Sequence, residues 1–172
     1  MDLLKTIAIF NMFFVTQIEM KPLSSSMETV LKLPKDINSE TNITILGHSY
    51  NFGIFNATFS GENMKEQDQC KIISEQNIEN ANEIIIKLVN QNVIKRTIVY
   101  DIDPEMKEVP FSLHGLAKVD KSDANIELFF EQHDRGNEYL GTCTFKSIKN
   151  LEYIVFDGVE HVENLSFNFT RR

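Results

Sequence analysis

The chain has 172 residues and a formal net charge of −8 at pH 7. This is the length of one domain, and a core of ordinary size is expected because chains of about 150 residues bury roughly 70% of their unfolded surface. The acidic balance, with a pI near 5.0, argues against nucleic acid or an anionic membrane as a partner, because both require a basic surface.

The N-terminal segment contains an apolar run from Thr6 to Val15, preceded by a lysine. A run of this length is typical of the central region of a signal peptide and is too short to cross a bilayer comfortably. Asp2 and the absence of a clean small-residue cleavage site depart from that pattern, and the alternative is an N-terminal helix or strand that packs on the core. We expect residues 1–20 to be a signal peptide, residues 21–30 to be a linker, and the protein to be secreted without a transmembrane segment.

Four Asn-x-Ser/Thr sequons lie on faces that the alternation of residues predicts to be polar: Asn42, Asn56, Asn164 and Asn168. Glycans attached there leave the core undisturbed, which favours glycosylation of a secreted protein. The alternative is that asparagine and threonine simply occupy the wet faces of strands.

Cys70 and Cys143 are the two cysteines of the chain. In an oxidising compartment they can form a single disulfide, although two cysteines do not make a disulfide framework. They lack the spacing of a zinc knuckle, and the four histidines are scattered along the sequence, so we expect neither a metal site nor a cofactor.

From residue 31 onward, short segments alternate apolar and polar residues between turn signals, which is the pattern of half-buried strands. The predicted strands lie at 43–46, 52–60, 83–89, 93–100, 111–115, 124–131 and 139–145, with a final pair in 151–169. Asp157-Gly158 suits a tight hairpin turn between the strands of that final pair. With about nine or ten short strands and no convincing long helix, residues 31–172 are predicted to form an all-β domain, an antiparallel two-sheet sandwich.

Residues 61–82 interrupt this pattern, because they are rich in Glu, Gln, Asn and Lys. Their apolar residues form no long stripe, and the segment has room for one short helix around residues 70–76. We interpret 61–82 as a polar surface insertion between strands, and long loops of this kind are either functional or disordered.

Several segments, taken in order, resemble the galectin family over roughly residues 28–170. They are Leu33-Pro34, Asn42–Gly47, Phe55–Phe59, Glu83–Leu88, Val93–Thr97, Pro110-Phe111, Asn125–Leu128, and Ile148–Phe167 with its Asp157-Gly158. The resemblance implies a jelly-roll sandwich of the galectin and concanavalin type. It also implies a lectin-like binding module rather than an enzyme.

Galectins bind β-galactosides through His, Asn and Arg on one strand, an Asn on the next strand and a Trp-Gly-x-Glu turn. The resemblance places these positions here on Lys87, Val89, Gln91, Arg96 and, near the turn, Ile102 and Glu105. The first four differ from the family's residues, and the chain has no Trp to stack on a sugar. Because a site that loses its paired polar groups loses discrimination by orders of magnitude, the resemblance implies altered or lost galactoside recognition.

The candidate ligand-binding residues on this basis are Lys87, Gln91, Arg96 and Glu105. The alternative is an ordinary solvated sheet face, on which each charge pair contributes little. Asp101 and Asp103 are spaced to share one face of a strand, as carboxylates for glycoside chemistry or calcium would be. A turn before Pro104 explains them more simply.

The leading hypothesis is a secreted, galectin-like β-sandwich that binds a glycan or a protein, and a homodimer is compatible with it. The rival hypothesis is a structural or protein-interaction sandwich without a sugar site. An enzyme ranks third, because the chain contains no Gly-x-Ser-x-Gly, Gly-rich phosphate loop or His-Glu-x-x-His motif.

Overall fold

A computed structural model describes residues 28–34, 37, 40–49, 53–61, 64–65, 68–103, 105–106, 108–119, 124–131, 136–146 and 151–168. Within these ranges the chain forms eleven strands: β1 Glu28–Lys32, β2 Asn42–Ser49, β3 Phe55–Ser60, β4 Cys70–Gln76, β5 Glu83–Asn90, β6 Val93–Asp101, β7 Val109–Val119, β8 Ala124–Glu131, β9 Glu138–Phe145, β10 Tyr153–Asp157 and β11 Val159–Asn168. The same ranges contain no helix long and apolar enough to span a membrane. The predicted signal peptide, residues 1–20, lies outside the described part of the chain. Of the predicted linker, 28–30 belong to β1, and 21–27 lie outside the described residues.

The strands form two sheets. One has six strands in the order β1-β10-β3-β4-β5-β6, and the other has five in the order β11-β2-β7-β8-β9. Every neighbouring pair is antiparallel. The prediction of an all-β, antiparallel two-sheet sandwich is confirmed.

The core lies between the two sheets. It is built from every second residue of the strands, whose side chains point inward. In β5, Ile84, Ile86 and Leu88 are buried while the residues between them are partly exposed. Rings from both sheets meet at the centre, where Phe55 stacks on Phe111 with 4.6 Å between the ring centroids. Full burial of one such side chain stabilises a fold by about 1.5–3 kcal/mol, so these alternating strands account for the sandwich.

The prediction of a surface insertion at residues 61–82 is wrong, because the segment contains strand β4. The short helix considered at residues 70–76 is wrong for the same reason. Cys70–Gln76 runs between β3 and β5 inside the six-stranded sheet. The pattern was hidden because an isoleucine, Ile73, faces outward while a serine, Ser74, faces the core. The buried Ser74 hydroxyl donates a hydrogen bond to the carbonyl oxygen of Gly53 at 2.5 Å, so the polar group is satisfied in the core.

The Asp157-Gly158 turn does not close the predicted hairpin. Strand β10 pairs with β1 and β3 in the six-stranded sheet, whereas β11 is an edge strand beside β2 in the other sheet. Gly158 has a φ of 79°, and a Cβ there would lie 2.9 Å from the carbonyl oxygen of Ile54. Glycine is therefore required at this position, which is a corner where the chain passes from one sheet to the other. A turn signal in the sequence does not specify whether the strands before and after it pair with each other.

Candidate functional site

The outward residues of β4, β5 and β6 form a continuous surface, called here the β4–β6 face. Successive side chains of a strand point to opposite sides of its sheet, so alternate residues of each strand contribute. The exception is the register shift in the β5–β6 pair, which leaves Ile94 and Thr97 on the same face. They are Lys71, Ile73, Glu75, Glu83, Ile85, Lys87, Val89, Ile94, Thr97, Val99 and Asp101. The residues of β4 on this face were missed by sequence reasoning, because the alternation that begins at Cys70 breaks off at Ile73 and Ser74.

Aliphatic side chains occupy much of the β4–β6 face. Ile85 lies directly opposite Val99, and Val89 lies directly opposite Ile94. Both residues of β6 are well exposed, Val99 at 45% and Ile94 at 57%. Directly opposite side chains on neighbouring strands are in contact, so the face carries two aliphatic pairs rather than a row of hydrogen-bonding groups.

Lys87 lies between these two aliphatic pairs. It is opposite Thr97 on β6 and opposite Ile73 on β4. Its ammonium group forms an ion pair with the carboxylate of Glu75. Both groups are partly exposed, so the pair contributes little to stability, and each charge already has a partner within the chain.

Arg96 does not join Lys87 on the β4–β6 face, which corrects the predicted set of site residues. Arg96 is opposite Leu88, whose side chain points into the core, in the same regular register that pairs Lys87 with Thr97. From there the guanidinium reaches β9, with Nη2 3.4 Å from Oε1 of Glu138 and Cζ 6.0 Å from the ring centroid of Tyr139. Arg96 therefore connects edge strands of the two sheets.

Gln91 and Glu105 lie at opposite ends of β6. Gln91 and Asn92 form the two-residue turn between β5 and β6, with φ values of 55° and 58°, as a primed hairpin turn requires. Glu105 follows β6. The strand has nine residues, a length of about 30 Å, so the structure does not bring the four predicted residues into one site.

The loop after β6 also explains the acidic pair. The backbone N–H of Glu105 donates to Oδ1 of Asp103 at 2.9 Å. An aspartate carboxylate that accepts a hydrogen bond from the backbone N–H two residues later forms an Asx turn. The contact agrees with the turn interpretation of Asp103.

The four sequon asparagines are all exposed and all point outward. Asn56 lies on the six-stranded sheet, opposite Ile73, and thus borders the β4–β6 face. Asn42, Asn164 and Asn168 lie on the other sheet, and Asn42 is directly opposite Asn168 across the β2–β11 pair. Glycans at these positions would point into solvent.

No family model and no curated protein matches the chain. Among solved structures, it is similar to a variant of human galectin-16, with 12% identity, a TM-score of 0.41, and coverage of 81% of this chain and 93% of that one. It is similar to CG-16, a homodimeric agglutinin from chicken liver, with 7% identity, a TM-score of 0.42, and coverage of 82% and 99%. It is also similar to Xenopus laevis galectin-Ib, with 12% identity, a TM-score of 0.43, and coverage of 84% and 100%.

Proposed function

We propose that this protein is a secreted, non-catalytic β-sandwich binding module of galectin-like type, in which galactoside recognition is lost and the β4–β6 face contacts another protein. The observation that carries the proposal is the make-up of that face. It presents two aliphatic cross-strand pairs, Ile85–Val99 and Val89–Ile94, around a lysine that is already paired with Glu75.

This composition is poorly suited to a galactoside. Sugar sites need convergent polar groups and an aromatic ring to stack on the apolar side of the sugar. The one aromatic residue of β4, β5 and β6, Tyr100, is buried. Aliphatic pairs suit burial against another protein, and the Lys87 charge between them already has Glu75 as its partner, as a charge inside an interface requires.

The disulfide and the sequons support secretion. Cys70 and Cys143 are bonded in the structure, and disulfides persist in oxidising compartments. The four sequon asparagines are accessible to glycosylation. The mass of the protein recovered from a secretory host tests this part of the proposal. Loss of about twenty residues together with added glycan is the expected result, and an intact N-terminus without sugar would refute secretion.

A glycan array tests the loss of sugar recognition. We expect no saturable binding of the full chain to galactosides or to other glycans on the array. The alternative function, a module for a different glycan, predicts saturable binding that Lys87→Ala abolishes. Arg96→Ala is the matched control, because Arg96 carries the same charge but its guanidinium reaches β9 instead of the β4–β6 face. Binding that depends on Lys87 and not on Arg96 would overturn the proposal.

A further inference from the structure

Three potential metal ligands converge on the outside of the five-stranded sheet, where β2 meets β11. Nδ1 of His48 is 3.2 Å from Nε2 of His161 and 3.3 Å from Oε1 of Glu163. Nε2 of His161 is 3.8 Å from the same carboxylate oxygen. Two imidazole nitrogens and one carboxylate oxygen therefore form a nearly regular triangle.

The size of this triangle fits a single ion. Zinc binds imidazole nitrogen and carboxylate oxygen at about 2.0–2.2 Å, so the donors of a tetrahedral site lie about 3.3–3.6 Å apart. Two edges of the triangle match within about 0.1 Å. The third edge is longer, and the half-exposed side chains of His161 and Glu163 can close it by small rotations.

The chemistry of the donors selects a class of ion. Neutral imidazole suits zinc, copper and nickel, whereas magnesium and calcium favour sites built from oxygen atoms. Two histidines and one glutamate are also the ligand set of zinc sites that keep one coordination position open. The set thus fits a divalent transition-metal ion with a water in the fourth position.

The backbone of β11 brings the ligands together. The pairing of β11 with β2 shifts register just before His161 and again between Val162 and Asn164. Glu163 is the residue that the second shift leaves without a direct opposite. Bulges of this kind redirect a side chain. Opposite the irregular segment is Gly47, where a Cβ would lie 2.9 Å from the carbonyl oxygen of His161, so glycine permits the close approach of the two strands.

We propose that His48 Nδ1, His161 Nε2 and Glu163 Oε1 form a three-ligand site for a divalent transition-metal ion of the zinc class. The site is separate from the β4–β6 face, because it lies on the outer side of the other sheet. Its side chains are 25%, 50% and 50% exposed, so an ion can enter from solvent. The alternative is that the three side chains contact only one another and bind no metal. The experiment must distinguish this alternative from metal binding.

The test is a titration of the full, chelator-treated chain with Zn²⁺ by calorimetry, and with Co²⁺ by visible absorption, which reports coordination geometry. We expect one ion per chain and the intense cobalt absorption of a tetrahedral site. His48→Ala and Glu163→Gln should each weaken binding at least tenfold. Glu163→Gln nearly preserves the shape of the side chain, so it remains informative if the histidine variant folds poorly.

His114→Ala is the matched control. His114 lies on the same outer face, on β7, and contacts Thr44 and Glu131 instead of the three proposed ligands. We expect it to bind zinc as tightly as the unmodified chain. The proposal is overturned if binding is not saturable at one ion per chain, if His114→Ala weakens it as much as His48→Ala, or if Glu163→Gln leaves it unchanged.

Discussion

Cys70 and Cys143 lie in different sheets, and the disulfide between them is a covalent link across the sandwich. Cys70 belongs to β4 and Cys143 to β9, and both are fully buried in the core. They are 73 residues apart in the sequence. A cross-link that closes so long a loop restricts the unfolded chain more than the folded one, so it stabilises the fold chiefly by lowering the entropy of the unfolded state.

Reduction of this disulfide should lower the free energy of unfolding by about 4 kcal/mol, the value that the loop-entropy relation gives for this separation. The measurement is urea denaturation of the chain with and without a reductant that cleaves the disulfide once the chain unfolds. The Cys70→Ala/Cys143→Ala double variant is the control, because its stability should not respond to the reductant. An unmodified chain that is equally stable in both conditions would contradict the prediction.

Phe130→Ala should destabilise the protein by about 3–5 kcal/mol, because it removes a large ring from a closely packed core. Phe130 is buried at 1% exposure and its ring packs against Phe55 and Tyr100. The matched control is Phe129→Ala, one residue earlier on β8, whose ring faces the other side and contacts Tyr139. Thermal or urea unfolding of both variants provides the comparison, and equal losses would show that the inward and outward faces of β8 are assigned wrongly.

Gly158→Ala should be more destabilising than Gly136→Ala, although both glycines have positive φ values, 79° and 70°. The left-handed backbone costs alanine about 1 kcal/mol at either position. A Cβ at Gly158 also meets the backbone oxygen of Ile54 at 2.9 Å, whereas one at Gly136 meets no atom within 4 Å. We expect a further loss of about 1–3 kcal/mol for Gly158→Ala alone, measured by urea denaturation. A similar effect of both substitutions would argue against the tight corner between β10 and β11.

Arg96→Ala removes an ion pair with Glu138 that contributes less than about 1 kcal/mol, because the pair is exposed to solvent and screened. A double-mutant cycle with Glu138→Gln measures the coupling directly. The contact of the guanidinium with the Tyr139 ring adds an amount of the same order. A coupling above about 2 kcal/mol would show that this contact between the sheets is far more buried than the structure has it.

The fold could be predicted where the alternation of residues is regular. In β3, Phe55, Ala57 and Phe59 are apolar and buried while the polar Asn56 and Thr58 between them are not, so both the strand and its inward face were evident from the sequence. In β4 the rule fails at two adjacent positions, Ile73 and Ser74. Ile73 is apolar but faces outward, and Ser74 is polar but buried. The buried Ser74 hydroxyl is satisfied because it donates a hydrogen bond to the carbonyl oxygen of Gly53.

The candidate sites depend on pairing between strands, which a single sequence does not reveal. The resemblance placed Arg96 beside Lys87, but Arg96 is paired with the inward Leu88, whereas Lys87 is paired with the outward Thr97. His48 and His161 are 113 residues apart, and bulges in β11 bring the latter beside Glu163. Bulges leave no periodic signal, so the histidines looked scattered in the sequence.

Strand β1, near the beginning of the chain, completes its pairing only with β10, near the end. Contacts between such distant parts of a chain form late and make folding slow. The edge of the six-stranded sheet is therefore incomplete until β10 has been synthesised. Under the proposed secretion, Asn42 and Asn56 would meet the glycosylation machinery while β10 is still missing from the six-stranded sheet.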